Sequence, residues 1–319
     1  MIDISNHNNL QHTSYTDLLM YFRAMNKTLR TLVFSMLAMV LMQGCSKYQK
    51  ILKSTDFEKK YEMAKIYYEA EKYQKAFPLF EELMTVYRGT SKGEKVYYYF
   101  AYCQYGLNDF LLASYHFGNF AKTFPRSDHA EECQFMSAKC YFLDSSEPSL
   151  DQESTNKAIQ EIQLFINRYP KSERVAECND LMDRLRYKLE TKDYNTAKLY
   201  FNMEDYKAAI TSLRNVLNDY PESRYREEMS FMVVRSAFLL AENSIEKKKM
   251  DRYNKTLEEC RSFVEKYPGN KYRKQVDDIF AASNKALAKM NTITEDGLQE
   301  HSSSQQHRNK GSRKTGGGD

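Results

Sequence analysis

From Asp56 to about Met290 the apolar residues recur at three- and four-residue spacing, with Lys, Glu and Asp between them. This is the pattern of helices that bury one stripe, and the strict alternation of a half-buried strand is absent. Four similar marks punctuate it: Phe124-Pro125-Arg126-Ser127, Tyr169-Pro170-Lys171-Ser172, Tyr220-Pro221-Glu222-Ser223 and Tyr267-Pro268-Gly269-Asn270. They are 45, 51 and 47 residues apart, and a weaker Tyr87-Arg88-Gly89-Thr90 lies 37 residues before the first. In each, proline stops a helix, and the Ser or Asn behind it can cap the next. Such a period predicts stacked repeats.

The repeat resembles the tetratricopeptide (TPR) hairpin, which has a small residue at position 8, a large one at 11, Ala at 20, an aromatic at 24 and Pro at 32. In the first copy these are Ala64, Tyr67, Ala76, Phe80 and Arg88, the proline being replaced. The second has Ala101, Gln104, Ala113, Phe117 and Pro125, and the fourth Ala197, Tyr200, Ala209, Leu213 and Pro221. The third matches in halves, Ala138 and Tyr141, then Ala158, Ile162 and Pro170, around an insertion containing Ser145-Ser146-Glu147-Pro148-Ser149. The fifth is read with Ala237 and Leu240 in its first helix, Phe263 and Pro268 in its second, and a Lys-rich insertion at Lys247–Lys249. The expected fold class is therefore all-α: a TPR superhelix of about five helix-turn-helix repeats plus a capping helix. Glu173 to Lys192 has no Pro or Gly and reads as one continuous helix between the third and fourth repeats.

The amino terminus carries an address. Met25-Asn26-Lys27-Thr28-Leu29-Arg30 is basic, and the uncharged run 31–42 is too short for a bilayer span of about 20 residues but suits a secretory signal. It ends in Met42-Gln43-Gly44-Cys45, which resembles a lipobox whose cysteine receives the lipid, although Met42 and Gln43 depart from the usual Leu and small residue. Ser46 behind it resembles the sorting signal for the outer membrane, so a lipid-anchored position on its periplasmic face is expected. The resulting layout is an upstream extension 1–24 with translation starting at Met25, a signal segment 25–44, and a lipidated tether 45–55. The array covers 56–290, divided into repeats 1–3 at 56–172 and repeats 4–5 with the cap helix at 173–290. A polar tail over 291–319 is read as unfolded.

Composition narrows the function. The formal charge of +4 is small for 319 residues and partly sits in the tail, which argues against a nucleic-acid binder. No two of the six cysteines form C-x-x-C; setting Cys45 aside leaves five, read as small core residues, with a structural disulfide the alternative. No nucleophile elbow, phosphate loop or zinc-protease motif occurs, so neither catalysis, a metal nor a cofactor beyond the lipid on Cys45 is expected. His116 and His129 read as repeat residues.

In a TPR, first-helix positions 2, 5, 9 and 12 build the ligand face. In the first three repeats these are Glu58, Tyr61, Lys65 and Tyr68; Lys95, Tyr98, Tyr102 and Tyr105; and Glu132, Phe135, Lys139 and Phe142. Aromatic rings interleaved with ammonium groups suit an extended peptide with aromatic side chains and a terminal carboxylate, while interior packing is the alternative for any single ring. The last two repeats give Tyr194, Lys198 and Phe201, then Phe231, Val234, Phe238 and Ala241, a more apolar surface of the kind a stable protein partner covers.

A lipobox followed at once by five such repeats, with this punctuation and a long central helix, resembles the BamD family over roughly residues 45–290. The resemblance implies an outer-membrane lipoprotein scaffold of the β-barrel assembly machinery, binding a BamA-like barrel protein through its carboxy-terminal repeats and unfolded outer-membrane proteins in its amino-terminal groove. The rival readings are a periplasmic TPR adaptor for cell-envelope or peptidoglycan enzymes, and a glycan-binding lipoprotein, against which the absence of Trp counts.

Overall fold

The computed structural model describes Thr31, Leu32, Ser35 and residues 47–312, with side chains as far as 292. Cys45 and nearly all of the signal segment lie outside the described residues. The regular elements among those described are helical: α1 (Phe57–Glu69), α2 (Tyr73–Val86), α3 (Ser91–Gly106), α4 (Phe110–Thr123), α5 (Ala130–Asp144), α6 (Glu153–Arg168), α7 (Val175–Asn202), α8 (Tyr206–Asp219), α9 (Arg226–Glu242), α10 (Glu246–Lys266) and α11 (Arg273–Ser312). None is long and apolar enough to cross a membrane.

Helix starts are chemically marked. The side chains of Asp56, Thr90, Asp109 and Asp205 each accept a backbone N–H from the first turn that follows. Three of the tight turns inside repeats hold one residue at positive φ, Glu71 (56°), Asn108 (60°) and Glu204 (62°). The turn after α2 instead uses Gly89 at φ 79°, and Gly93 beyond it is obligatory because a Cβ there would lie 2.2 Å from the Tyr87 carbonyl oxygen.

The chain forms two compact bodies: 47–144 with 157–175, and 145–156 with 176–312. In the first, α1 to α4 pack sequentially and α5 packs on α4. In the second, α8, α9, α10 and α11 do the same, and the end of α7 supplies Tyr194 and Ala197 to their core. The small residues expected at positions 8 and 20 of repeats 1–4 (Ala64, Ala76, Ala101, Ala113, Ala138, Ala158, Ala197 and Ala209) are all wholly buried. Only a methyl fits where paired helices approach this closely, while Phe80, Phe117, Ile162 and Leu213 fill the space between hairpins.

Three details differ from the sequence reading. The connecting stretch does not end before repeat 4 but continues as that repeat's first helix, making α7 a single element. The insertion 145–156 goes with the second body, because Lys188 Nζ donates to the Ser145 carbonyl (2.9 Å) and Lys192 Nζ to those of Pro148 (3.2 Å) and Leu150 (2.7 Å). Finally, α11 runs past Met290 to Ser312, well into the span read as an unfolded tail: no proline follows Pro268, and Gly297 does not stop it.

Candidate functional site

One bonding pattern joins successive repeats. The Ser or Asn of each punctuation mark reaches back to a carboxylate at position 1 of the preceding first helix: Ser127 to Glu94 (2.5 Å), Ser172 to Glu131 (2.6 Å), Ser223 to Glu190 (2.6 Å) and Asn270 to Glu227 (3.0 Å). In the three serines the same hydroxyl oxygen accepts the backbone N–H two residues on, from His129, Arg174 and Tyr225, whereas Asn270 donates through its amide nitrogen and accepts the Tyr272 N–H at its amide oxygen. Those residues, together with Lys92, then lie over the position-5 ring of the preceding helix. Lys92 Nζ is 4.7 Å from the Tyr61 ring centre, His129 lies 4.2 Å from Tyr98, Arg174 5.4 Å from Phe135, Tyr225 4.2 Å from Tyr194, and Tyr272 4.4 Å from Phe231.

This corrects part of the expected face. Tyr61, Phe135, Tyr194 and Phe231 are buried at 4–8% exposure beneath the following repeat, so they join repeats instead of presenting rings to a ligand. Tyr98 is only half-buried but serves the same purpose, stacked on His129.

Positions 9 and 12 remain accessible in the first body: Lys65, Tyr68, Tyr102, Tyr105, Lys139 and Phe142 are all partly exposed. Tyr68 meets Tyr73 and Tyr99 edge-on at 5.8 and 4.9 Å, which fixes its ring angle. Tyr102 lies edge-on to Phe117 (4.8 Å) and next to Tyr105 (6.4 Å). The Glu132 carboxylate accepts from both Tyr98 (3.2 Å) and Tyr102 hydroxyls, and His129 Nδ1 stands 3.7 Å from it. Burial, reinforced by the Glu132 charge, pushes the Tyr98 phenol up to about 12 and the Tyr102 phenol higher still, so both remain neutral donors. Lys139 Nζ lies 5.5 Å from the Phe135 ring centre. The chemistry on offer is a line of fixed rings flanked by Lys65 and Lys139.

In the second body Glu228 repeats the role of Glu132, accepting from Tyr194 (2.7 Å) and Lys198 (3.3 Å). This match moves the register of repeat 5 by three residues. Glu227 stands at position 1 and Val234 at position 8, where Ala237 is expected from composition; Val234 and Ala241 leave the face and Arg235 joins it. Phe201, Arg235 and Phe238 then line up, with the Arg235 guanidinium 5.3 Å from the Phe201 ring centre. Phe231, Arg235 and Phe238 line an open pocket of about 410 Å³ together with Gln275, Asp278 and Ile279 of α11.

Sequence reasoning missed Arg235, the tyrosine-bonded role of Glu132 and Glu228, and the covering residues. The spacing of Ser and Glu would have found the repeat-joining bonds. Cys103, Cys133, Cys140, Cys178 and Cys260 are buried free thiols, which answers the disulfide alternative among the described residues. His116 is a packing residue, edge-on to Phe100 at 4.8 Å, and burial lowers its pKa. Among the described residues no three His, Cys, Asp or Glu side chains converge as a metal site would require.

A family model described as an outer membrane lipoprotein, YfiO, matches residues 54–250. The outer membrane protein assembly factor BamD of Caulobacter vibrioides is 22% identical over 147 residues, 46% of this chain and 48% of the relative, so the match spans about half of that relative's length. Among solved structures, the TPR2AB domain of yeast Sti1, in a complex with pHSP90, aligns over 72% of this chain and 98% of that one, at 12% identity and a TM-score of 0.33. The matched span takes in every repeat through the start of α10, and with it all the joints just described except the last: the chain belongs to the YfiO family of outer membrane lipoproteins.

Proposed function

We propose that this lipoprotein is a scaffold for assembling β-barrel proteins at the outer membrane, held on the periplasmic face by lipid on Cys45. Its amino-terminal face receives unfolded outer-membrane proteins, and its carboxy-terminal repeats hold a BamA-like barrel subunit. Family membership and the name of the Caulobacter relative support the setting. The observation that carries the substrate role is the partly exposed line of Tyr68, Tyr102, Tyr105 and Phe142 with Lys65 and Lys139 beside it. A β-barrel strand in transit is extended and rich in aromatics; fixed rings can stack on it, and lysines can pair with its terminal carboxylate.

Affinity purification of the membrane-bound chain tests the setting: recovery of a large barrel protein with periplasmic repeats is expected, and recovery of peptidoglycan enzymes alone would favour an adaptor. The face is tested separately by Tyr68→Ala with Tyr105→Ala. These spare the joints at position 5 and are expected to weaken an aromatic-ending peptide about tenfold or more, as loss of interface rings does. Unchanged affinity with an unchanged fold would remove the substrate role.

A further inference from the structure

The turn between α9 and α10 departs from every other short turn inside a repeat. From the position-8 residue to the punctuation proline is 24 residues in repeat 4 (Ala197 to Pro221) but 34 in repeat 5 (Val234 to Pro268). Shared between two antiparallel helices, ten extra residues carry this tip about 7–8 Å farther than an ordinary hairpin end. The tip is built, not frayed. Arg252 reaches back to the Leu240 carbonyl (3.3 Å) and to Ser244 Oγ, Ser244 Oγ bonds the Leu240 carbonyl, and Asn243 N–H donates to the Leu239 carbonyl (3.0 Å).

What the tip displays is apolar and cationic. Ile245 is 66% exposed and Met250 38%, with Lys247 and Lys248 exposed between them. Asp56, Thr90, Asp109 and Asp205 cap their helices through side chains; Lys72 and Tyr225 give no such bond at α2 and α9, and at α10 the uncapped place is taken by the exposed apolar Ile245. Lys247, Lys248 and Lys249 occupy the first turn, where the helix dipole disfavours cations. Both choices cost helix stability, and both suit an external surface that is apolar beneath and anionic above. Nearby carboxylates are engaged: Glu246 pairs with Lys249 (2.7 Å) and Asp251 with Lys255 (2.8 Å), leaving Glu242 as the nearest other acidic group on this tip.

We infer that the α9–α10 tip docks on the anionic phospholipid surface of the membrane that holds the lipid anchor, with Ile245 and Met250 entering the interface and Lys247 and Lys248 pairing with phosphate headgroups. This inference rests on the membrane attachment proposed above. Its geometry is that of a side chain pair dipping below snorkelling lysines.

The chain contains no Trp, so Ile245→Trp gives a single indole at the tip. The full lipidated chain carrying it is reconstituted on vesicles of phosphatidylcholine with roughly a third phosphatidylglycerol, a composition chosen to give anionic headgroups. The expected result is blue-shifted emission that bromine-labelled lipid quenches. Adding Lys247→Glu and Lys248→Glu, or using phosphatidylcholine alone, should cut the quenching severalfold, since each Lys near an anionic surface is worth about fivefold in affinity. A chain that floats with the vesicles but shows unquenched, water-like emission overturns the tip inference alone. Failure to float overturns the anchor as well. A concentration-dependent blue shift without lipid assigns the tip to a second copy and also overturns it.

Discussion

Among the described residues Lys60 is the one charged side chain in the core of the amino-terminal body, 1% exposed, and its ammonium donates to Glu82 (2.6 Å) and to the Leu52 carbonyl (3.1 Å). One residue thus ties α1 to α2 and to the segment that precedes α1, through which the proposed lipid on Cys45 would hold the body. Glu82→Ala leaves the buried ammonium with the carbonyl only. The expected cost is about 2–3 kcal/mol, below the range for fully buried pairs because Glu82 is 44% exposed, and urea unfolding measures it. The tyrosines set the alkaline limit. Burial raises Tyr97 and Tyr98 to about 12, the Tyr98 value also reflecting Glu132, against about 10 in an unfolded chain. Their contribution is complete below pH 10 and is lost as pH rises from about 10 through 12, because only the unfolded chain ionises readily there. Stability should therefore fall over that window, and absorbance at the phenolate band should show late-ionising tyrosines; a titration complete near pH 10 with the fold intact would contradict this.

At the scale of elements, the joints are what make hairpins into an array, since a single hairpin cannot bury its own face. Each punctuation hydroxyl donates to a carboxylate while accepting a backbone N–H, so Ser127→Ala, Ser172→Ala and Ser223→Ala should each cost about 1–2 kcal/mol. Loss confined to one of the three would mean the motif is not a common joint. The turns offer the opposite sign: Glu204 at φ 62° is strained as a non-glycine, and Glu204→Gly should stabilise by about 0.5–1 kcal/mol in thermal unfolding. The helices and their spacing were legible because proline, alanine and periodic apolar residues obey strong steric rules. The register of repeat 5 was not, because Val234 stands where the rule asks for Ala and Ala237 offers itself three residues later. The burial of the position-5 rings was equally hidden: their covers are Lys92, His129, Arg174, Tyr225 and Tyr272, several chemistries that share only a flat or cationic face and leave no composition signal.

Across the molecule the two bodies hold separate cores, with Phe117 and Phe120 buried in one and Leu213, Met229 and Phe263 in the other. Nearest-neighbour arrays need not unfold in one step, because each repeat senses only those beside it. The buried thiols make this testable inside the intact chain. Cys103, Cys133 and Cys140 belong to the first body, Cys178 and Cys260 to the second. Burial pushes Cys103, Cys140 and Cys260 up to about 12 and raises Cys133 too, so these are protonated as well as inaccessible until their body opens. Phe117→Ala removes a wholly buried ring from the first body and should cost about 3–5 kcal/mol there. In rising urea, pulsed alkylation read by peptide mass should then label Cys103, Cys133 and Cys140 well before Cys178 and Cys260. Leu213→Ala, at about 2–5 kcal/mol, should reverse the order. If both variants label all five thiols together, the bodies unfold as one cooperative unit. For the scaffold role proposed above, separable stability would let one body open locally while the other stays folded.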